Sequence, residues 1–223
     1  MHMRTLLSVS TLVAILLAGE AVEYTVTNTA TGTPGGLRFE NEIGTSFAMG
    51  VLTTATQFIW TTFEETSPTD RKDFGSVSLF IDDDVFTAYT INNEIHVSGQ
   101  YIEATSGDLR AEFAGVLYHE MTHVWQWNGN GQTPTGLLEG IADYVRLSGG
   151  YAPSHWVKRG EGNSWDQGYA VTAWFLEYCS GLRHGFVADL NRMMKTSYSE
   201  DYFAQLVGKS VDQLWDDYKA MYP

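Results

Sequence analysis

Residues 119–123 read His-Glu-Met-Thr-His, an H-E-x-x-H motif that constrains this chain more than any other segment. An α-helix completes one turn in about 3.6 residues, so His119 and His123 share one helix face and can bind one cation together. Glu120 then lies beside the cation, where its carboxylate can accept a proton from water. The motif therefore requires a helix here and predicts one catalytic Zn²⁺ ion.

The flanking sequence predicts such a helix. Segment 105–108 has the T-x-x-D form of a capping box, and segment 128–131, Asn-Gly-Asn-Gly, favours the left-handed backbone that ends helices. Between them, apolar residues recur at three- and four-residue spacings: Leu109, Phe113, Val116 and Leu117. We expect a helix from about Leu109 to Trp127, with the motif inside it.

Two histidines need a third partner, because a catalytic zinc ion usually takes three protein ligands and leaves a fourth position to water. A second helix is predicted over 136–146, and Glu139 and Asp143 lie four residues apart on one face of it. We assign Glu139 to the metal and Asp143 to a hydrogen bond with a ligating imidazole. Two alternatives stay open: Asp143 as the direct ligand, or a solvated acidic face paired with Arg146.

Three segments together resemble the plant basic secretory protein family, which belongs with the zincin-type metallopeptidases: 118–127, 138–146 and 165–169. The resemblance covers nearly the whole chain after its N-terminal segment. It implies a zincin-like fold, secretion, zinc-dependent peptidase activity and a role in plant defence. H-E-x-x-H followed by E-x-x-x-D is similar to the glutamate-ligand zincins. One departure is that this chain is acidic, whereas the family name says basic.

Three further positions bear on the comparison with zincins: 126, 129 and 169. A metzincin would have Gly at position 126 and His at position 129, whereas this chain has Gln126 and Gly129, which excludes that class. By resemblance to tyrosines of related zincins, Tyr169 is a candidate hydrogen-bond donor to the oxyanion that forms during peptide hydrolysis. The alternative is that Tyr169 simply packs.

The N-terminal segment is typical of a secretory signal peptide, since Arg4 precedes an apolar run over 6–18 and small residues follow at 19–21. The apolar run is too short for a comfortable membrane span, which disfavours a membrane anchor. We therefore expect removal of residues 1–21, and a single zincin-like domain over 22–223. This mature form would be secreted to the extracellular space or apoplast and would have no membrane segment.

The net charge limits the expected substrates, and the cysteine content limits how the fold can be stabilised. A formal net charge of -14 repels nucleic acid and anionic membranes, which leaves peptides or proteins as the expected substrates of a monomer. Cys179 is the only cysteine, so the chain has no internal disulfide, and its apolar neighbours predict a buried thiol. A core built from 43% hydrophobic residues must then provide the stability.

The rest of the pattern predicts an α+β fold with a small N-terminal mixed sheet, a long helix, the motif helix and a mainly helical C-terminal half. Strands are expected at 23–27, 74–81, 87–91 and 94–98, with a hairpin turn at Asn92-Asn93. Helices are expected at 38–62, 164–178, 186–195, 200–207 and 211–221. The range 164–178 opens with an S-x-x-Q capping box at Ser164.

Two local features of the N-terminal half carry further expectations. We place Ile95 to Ser98 at the sheet edge over the cleft, where an extended substrate can pair with it. The acidic run 82–84 offers oxygen ligands for calcium, but no EF-hand spacing follows, so a solvated turn is the favoured interpretation.

These observations predict zinc-dependent peptide hydrolysis. Glu120 acts as the general base and returns the proton to the leaving amine, while Tyr169 stabilises the oxyanion. The alternative is a secreted defence or binding protein in which a zinc site supports folding without turnover. A fourth protein ligand, His155 or His184, would favour that alternative.

Overall fold

The computed structural model describes residues 22–83 and 87–222. The predicted signal peptide, residues 1–21, and Asp84 of the acidic run lie outside the described residues. A four-stranded sheet and its covering helices form the N-terminal half, and helices form the C-terminal half. This is the α+β layout predicted from the sequence.

The sheet comprises β1 (Glu23–Asn28), β2 (Ser76–Asp82), β3 (Ala88–Ile91) and β4 (Glu94–Ser98) in the spatial order β1-β2-β4-β3. Strands β1, β2 and β4 are parallel, whereas β3 pairs antiparallel with β4 through the predicted hairpin. The placement of Ile95 to Ser98 at the edge was wrong, because β4 lies between β2 and β3. The edge strand is β3.

The nine α-helices of the described residues follow the predicted order, with bounds set by local backbone geometry. They are α1 (Pro34–Arg38), α2 (Thr45–Thr62), α3 (Gly99–Ala104), α4 (Leu109–Trp125), α5 (Thr135–Ser148), α6 (Tyr169–Leu182), α7 (Phe186–Met193), α8 (Asp201–Val207) and α9 (Val211–Met221). The single helix predicted over 38–62 is wrong at its start, because Gly44 adopts φ 78° and separates α2 from a short π-helical turn.

Helix α4 begins at Leu109 as predicted, but Asp108 caps it, since its side chain accepts a hydrogen bond from the Ala111 backbone. Nearly every side chain of α4 from Phe113 to Trp125 is buried. The helix lies between α2, the sheet and α5, so it has no solvent-exposed face for most of its length. The motif is therefore held in the interior.

Helix α6 starts at Tyr169 rather than at Ser164. Gly168 adopts φ 96° and Tyr169 φ 47°, and this backbone turn is incompatible with a helix that runs through both residues. The expected capping box at Ser164 is therefore absent, and the Gln167 side chain instead accepts a hydrogen bond from the Asn163 backbone.

Buried side chains from the sheet, from α4 and from the C-terminal helices belong to one hydrophobic cluster. The buried Cys179 is part of it, as predicted. Within residues 22–83 and 87–222, no helix combines the length and apolar character that crossing a bilayer requires.

Close packing of α5 against α6 depends on Gly140. A Cβ atom at this position would lie 2.2 Å from Cγ2 of Thr172, far inside van der Waals contact. Thr172 is fully buried, and its hydroxyl bonds both the Trp165 carbonyl and the Gly168 amide, so it cannot move aside easily. Gly140 thus sets the depth at which the neighbouring Glu139 lies in the fold.

We predict that Gly140→Ala lowers the free energy of unfolding by about 2 kcal/mol, because the added methyl overpacks a filled interface. Gly50→Ala is the matched control, since Gly50 is also inside a helix but has open space where its Cβ would be. That control should stabilise the protein by up to about 1 kcal/mol through helix propensity. Urea unfolding measures both, and equal effects at the two sites would contradict the packing argument.

Candidate metal centre

A cleft of about 880 Å³ runs between the edge strand β3 and the helices α4, α5 and α6. Its walls include His119, Glu120 and His123 from α4 and Glu139 from α5. Because α4 is buried, His119, Glu120 and His123 reach the bottom of an open groove from a helix in the interior.

Three ligand-type atoms converge in this cleft. Nε2 of His119 lies 3.1 Å from Nε2 of His123 and 3.1 Å from Oε2 of Glu139, and the distance from Nε2 of His123 to that oxygen is 3.5 Å. Within the described part of the chain, these three residues form the one cluster of His, Cys, Asp or Glu side chains whose ligand atoms lie close enough together to hold a metal ion. Ligand atoms about 2.0–2.1 Å from one tetrahedral ion would lie about 3.3 Å apart, so the triangle has the right size for one zinc ion.

Asp143 contacts the opposite side of the His119 ring. Its Oδ1 lies 2.7 Å from Nδ1 of His119, a buried hydrogen bond that makes Nδ1 the protonated nitrogen of the neutral ring. The lone pair of Nε2 is then directed into the triangle. The sequence left open which of the two acids faces the metal position. In the structure, Glu139 lies in the triangle and Asp143 lies behind the imidazole of His119.

Gln126 contacts His123 in the same way. Its side-chain amide lies 2.7 Å from Nδ1 of His123, while its Oε1 is buried without a partner among the described residues. Exchanging the two ends of the amide lets Oε1 accept the Nδ1 proton and gives the orphaned oxygen its hydrogen bond. Both imidazoles then present Nε2 as a free lone pair, which is the form that binds a cation.

The pKa values within the triangle show how strongly its members interact. Burial lowers the pKa of His119, but hydrogen bonds to Asp143 and Glu139 outweigh it and raise that pKa to about 10. Burial raises the pKa of Glu139, but hydrogen bonds from both imidazoles hold it well below its usual value. When it is deprotonated, the triangle presents one carboxylate and two imidazole nitrogens to a divalent cation, and Asp143 adds a second negative charge behind His119.

Glu120 is positioned by the edge strand. The Thr90 hydroxyl of β3 lies 2.8 Å from Oε2 of Glu120 and 3.0 Å from the Glu120 backbone oxygen. Glu120 is only 6% exposed, so this contact fixes a carboxylate that has little other polar contact at the floor of the cleft.

Tyr169 stands at the rim of the same cleft. It is 59% exposed, and its ring stacks on the His119 ring with centroids 6.0 Å apart. Partial burial raises its pKa, and the negative charges of Glu139, Asp143 and Glu120 raise it further, so the phenol remains a hydrogen-bond donor at neutral pH. Its left-handed backbone is the kind of strain that recurs at functional sites.

The remaining sequence candidates fall outside the triangle. His155 lines the cleft but does not join the group, and His184 is not among the lining residues. Asp82 accepts hydrogen bonds from Thr29 and His96. Sequence reasoning missed Thr90 and Gln126. Only Gln126 carried a signal, since it follows His123 by three residues near the end of the helix.

The site is therefore built from three parts of an α+β fold. They are the buried helix with the H-E-x-x-H motif, a carboxylate from the next helix and an edge strand that lines the cleft. The model of the BSP family, described as "Peptidase of plants and bacteria", matches residues 19–218, and the chain belongs to that family.

A relative named "Basic secretory protease" from Boswellia serrata is 43% identical over 58 residues. That alignment spans 26% of this chain and 66% of the relative, just under two thirds of its length. No solved structure matches the chain.

We predict that the metal-free protein loses stability as the pH rises from about 6.5 to about 10. The imidazolium of His119 has a raised pKa in the folded state, so its contribution is complete below the unfolded value and disappears as the folded group deprotonates. The loss should be on the order of a few kcal/mol. Urea unfolding with a chelator present measures it, and Asp143→Asn should flatten the profile. An unchanged slope in that variant would contradict the assigned cause.

Proposed function

We propose that this protein is a secreted zinc-dependent peptidase whose site is the His119, His123 and Glu139 triangle. The observation that carries the proposal is the convergence of three ligand atoms at 3.1–3.5 Å next to Glu120 in an open cleft. Membership of a family described as peptidases supports the reaction. Residues 22–223 would form the mature single domain after removal of 1–21, and the name of the Boswellia serrata relative supports secretion.

The donor set fits zinc. Two imidazole nitrogens and one carboxylate oxygen are the ligands of many catalytic zinc sites, and they leave one position open. Bound there, zinc would act as a Lewis acid on the peptide carbonyl and make water a better nucleophile. Asp143 and Gln126 would orient the two rings from behind, which fixes both tautomers.

The residues of the chain then divide the remaining work. Glu120 accepts a proton from the attacking water and returns it to the leaving amine, and Thr90 holds its carboxylate toward the cleft. Tyr169 donates a hydrogen bond to the oxyanion from the cleft rim. The resemblance to plant secretory proteins extends the proposal to a role in plant defence.

Replacing the base tests the proposal. Glu120→Gln keeps the shape and should keep one zinc per chain, whereas turnover of a peptide library should fall by about 10²- to 10⁴-fold, because the amide cannot accept the proton. Zinc content by elemental analysis and peptide cleavage by mass spectrometry are measured on the same sample.

Glu103→Gln is the charge-matched control, since Glu103 is exposed and is not among the cleft-lining residues. It should cleave within about twofold of the parent protein. A Glu120→Gln protein that binds zinc and retains full cleavage would exclude Glu120 as the base, and a parent protein that binds zinc but cleaves nothing would favour a binding role.

The contact between Thr90 and Glu120 gives a second test. Thr90→Val removes the hydroxyl with little change in shape and should lower kcat about tenfold at unchanged zinc content, while KM changes little. Thr90→Ser retains the hydroxyl and should restore most of the rate. Equal losses in the two variants would mean that the methyl packing of Thr90 matters rather than its hydrogen bond.

A further inference from the structure

One end of the cleft carries a lysine that the proposed chemistry does not use. Lys72 lines the cleft, and its Nζ donates a hydrogen bond to the Val124 carbonyl, 2.9 Å away, next to the second histidine of the motif. The ammonium lies 5.8 Å from the Trp127 ring and 5.9 Å from the Phe74 ring. It is therefore held at a defined position between a helix end and two aromatic rings.

Lys72 lacks a counterion in the described part of the chain, where no carboxylate lies within ion-pair distance of its Nζ. Arg146 also lines the cleft, but its guanidinium is paired with Glu112 at 2.9 Å. An ammonium has three donors, and the Val124 carbonyl uses one of them. The other two are available to a ligand.

The electrostatic surroundings favour an anion as that ligand. Burial lowers the pKa of Lys72 to about 8, although the charge of Glu65 partly opposes this effect, so the group carries a charge that its environment solvates poorly. Glu65 itself is 5% exposed, and burial raises its pKa to about 8, so it is a poor counterion for Lys72. An incoming carboxylate would provide the missing negative charge.

The position of Lys72 relates this charge to the reaction site. Val124 follows Glu120 by four residues, which is about 6 Å along a helix. An extended peptide advances about 3.3 Å per residue, so a group bound at Lys72 lies about two residues from the reacting carbonyl. The negative charges of Glu139 and Asp143 repel an acidic group of the substrate that is placed closer to the triangle.

From these observations we infer that Lys72 forms a subsite for a substrate carboxylate about two residues from the scissile bond. The carboxylate is either an aspartate or glutamate side chain or the free C terminus of the peptide. This inference rests on the proposed peptidase function, because it names the substrate class of the same cleft. The subsite would attract an acidic group locally, although the net charge of -14 repels acidic peptides at long range.

Binding measurements in the zinc-loaded Glu120→Gln background test the subsite without turnover. The probes are N-acetylated hexapeptides of alanine and glycine, with Asp or Glu against Asn or Gln at one position, each with a carboxylate or an amide terminus. Calorimetry should show about tenfold tighter binding of one acidic member over its neutral partner. The side-chain pair and the terminal pair distinguish the two sources of the carboxylate.

Adding Lys72→Gln should reduce that preference to within about twofold, because the amide can still reach a backbone carbonyl but carries no charge. Lys72→Met, which keeps the apolar stem, should give the same result if the glutamine variant folds poorly, as judged by its thermal midpoint. Lys195→Gln is the control, since Nζ of Lys195 also lies near the Trp127 ring, 5.0 Å from its centroid, but Lys195 is not among the cleft-lining residues. It should leave the preference unchanged.

Equal binding of acidic and neutral peptides by the protein with Lys72, or a preference that survives both Lys72 replacements, would overturn the subsite. Failure of the proposed function has a different signature. Acid preference that depends on Lys72, together with no cleavage by the parent protein, would support the subsite and refute the peptidase. Cleavage without a preference for acidic peptides would support the peptidase and refute the subsite.

Discussion

The buried hydrogen bond between His119 and Asp143 links the two helices on which the site depends. Helix α4 is enclosed by apolar packing, yet it carries two imidazoles and a carboxylate, and each of these polar groups requires a partner in the interior. Asp143, Gln126 and Thr90 provide those partners from three different segments. The arrangement costs desolvation free energy that packing elsewhere in the core must offset.

Close helix packing is what allows the acids of α5 to reach the histidines of α4. Gly140 brings α5 against Thr172 of α6, and Gly136 approaches the Asp166 carbonyl so closely that a Cβ there would lie 1.7 Å away. The left-handed turn at Gly168 and Tyr169 lies next to this contact, and Tyr169 lines the cleft. Backbone shape and site chemistry therefore have one origin in the α5–α6 interface.

Local signals predicted much of the fold. Helix α9 begins at Val211 because Ser210 and Gln213 form a reciprocal capping box, and these signals lie within four residues of one another. The placement of Ile95 to Ser98 at the sheet edge was wrong, since it depends on which distant segments pair. The start of α6 was wrong for a similar reason, because the contact between Gly136 and Gly168 is invisible in the sequence around Ser164.

In the candidate site, too, local patterns predicted some residues, whereas others depend on long-range contacts. His119, His123, Glu139 and Asp143 repeat at helical spacings, so their grouping follows from periodicity once two helices are recognised. Thr90 precedes Glu120 by thirty residues and reaches it only because β3 is the edge strand, which no local pattern encodes. Lys72 reaches the end of α4 from a loop before β2, and its role depends on a similar long-range contact.

X-ray diffraction from zinc-loaded crystals at the zinc absorption edge tests the metal centre most directly. We expect one anomalous peak within about 2.2 Å of Nε2 of His119, Nε2 of His123 and a Glu139 carboxylate oxygen, with no fourth protein ligand. Asp143 should remain on Nδ1 of His119. A peak bound directly by Asp143, a fourth bond from a side chain such as His155, or no peak in the cleft would contradict this metal centre.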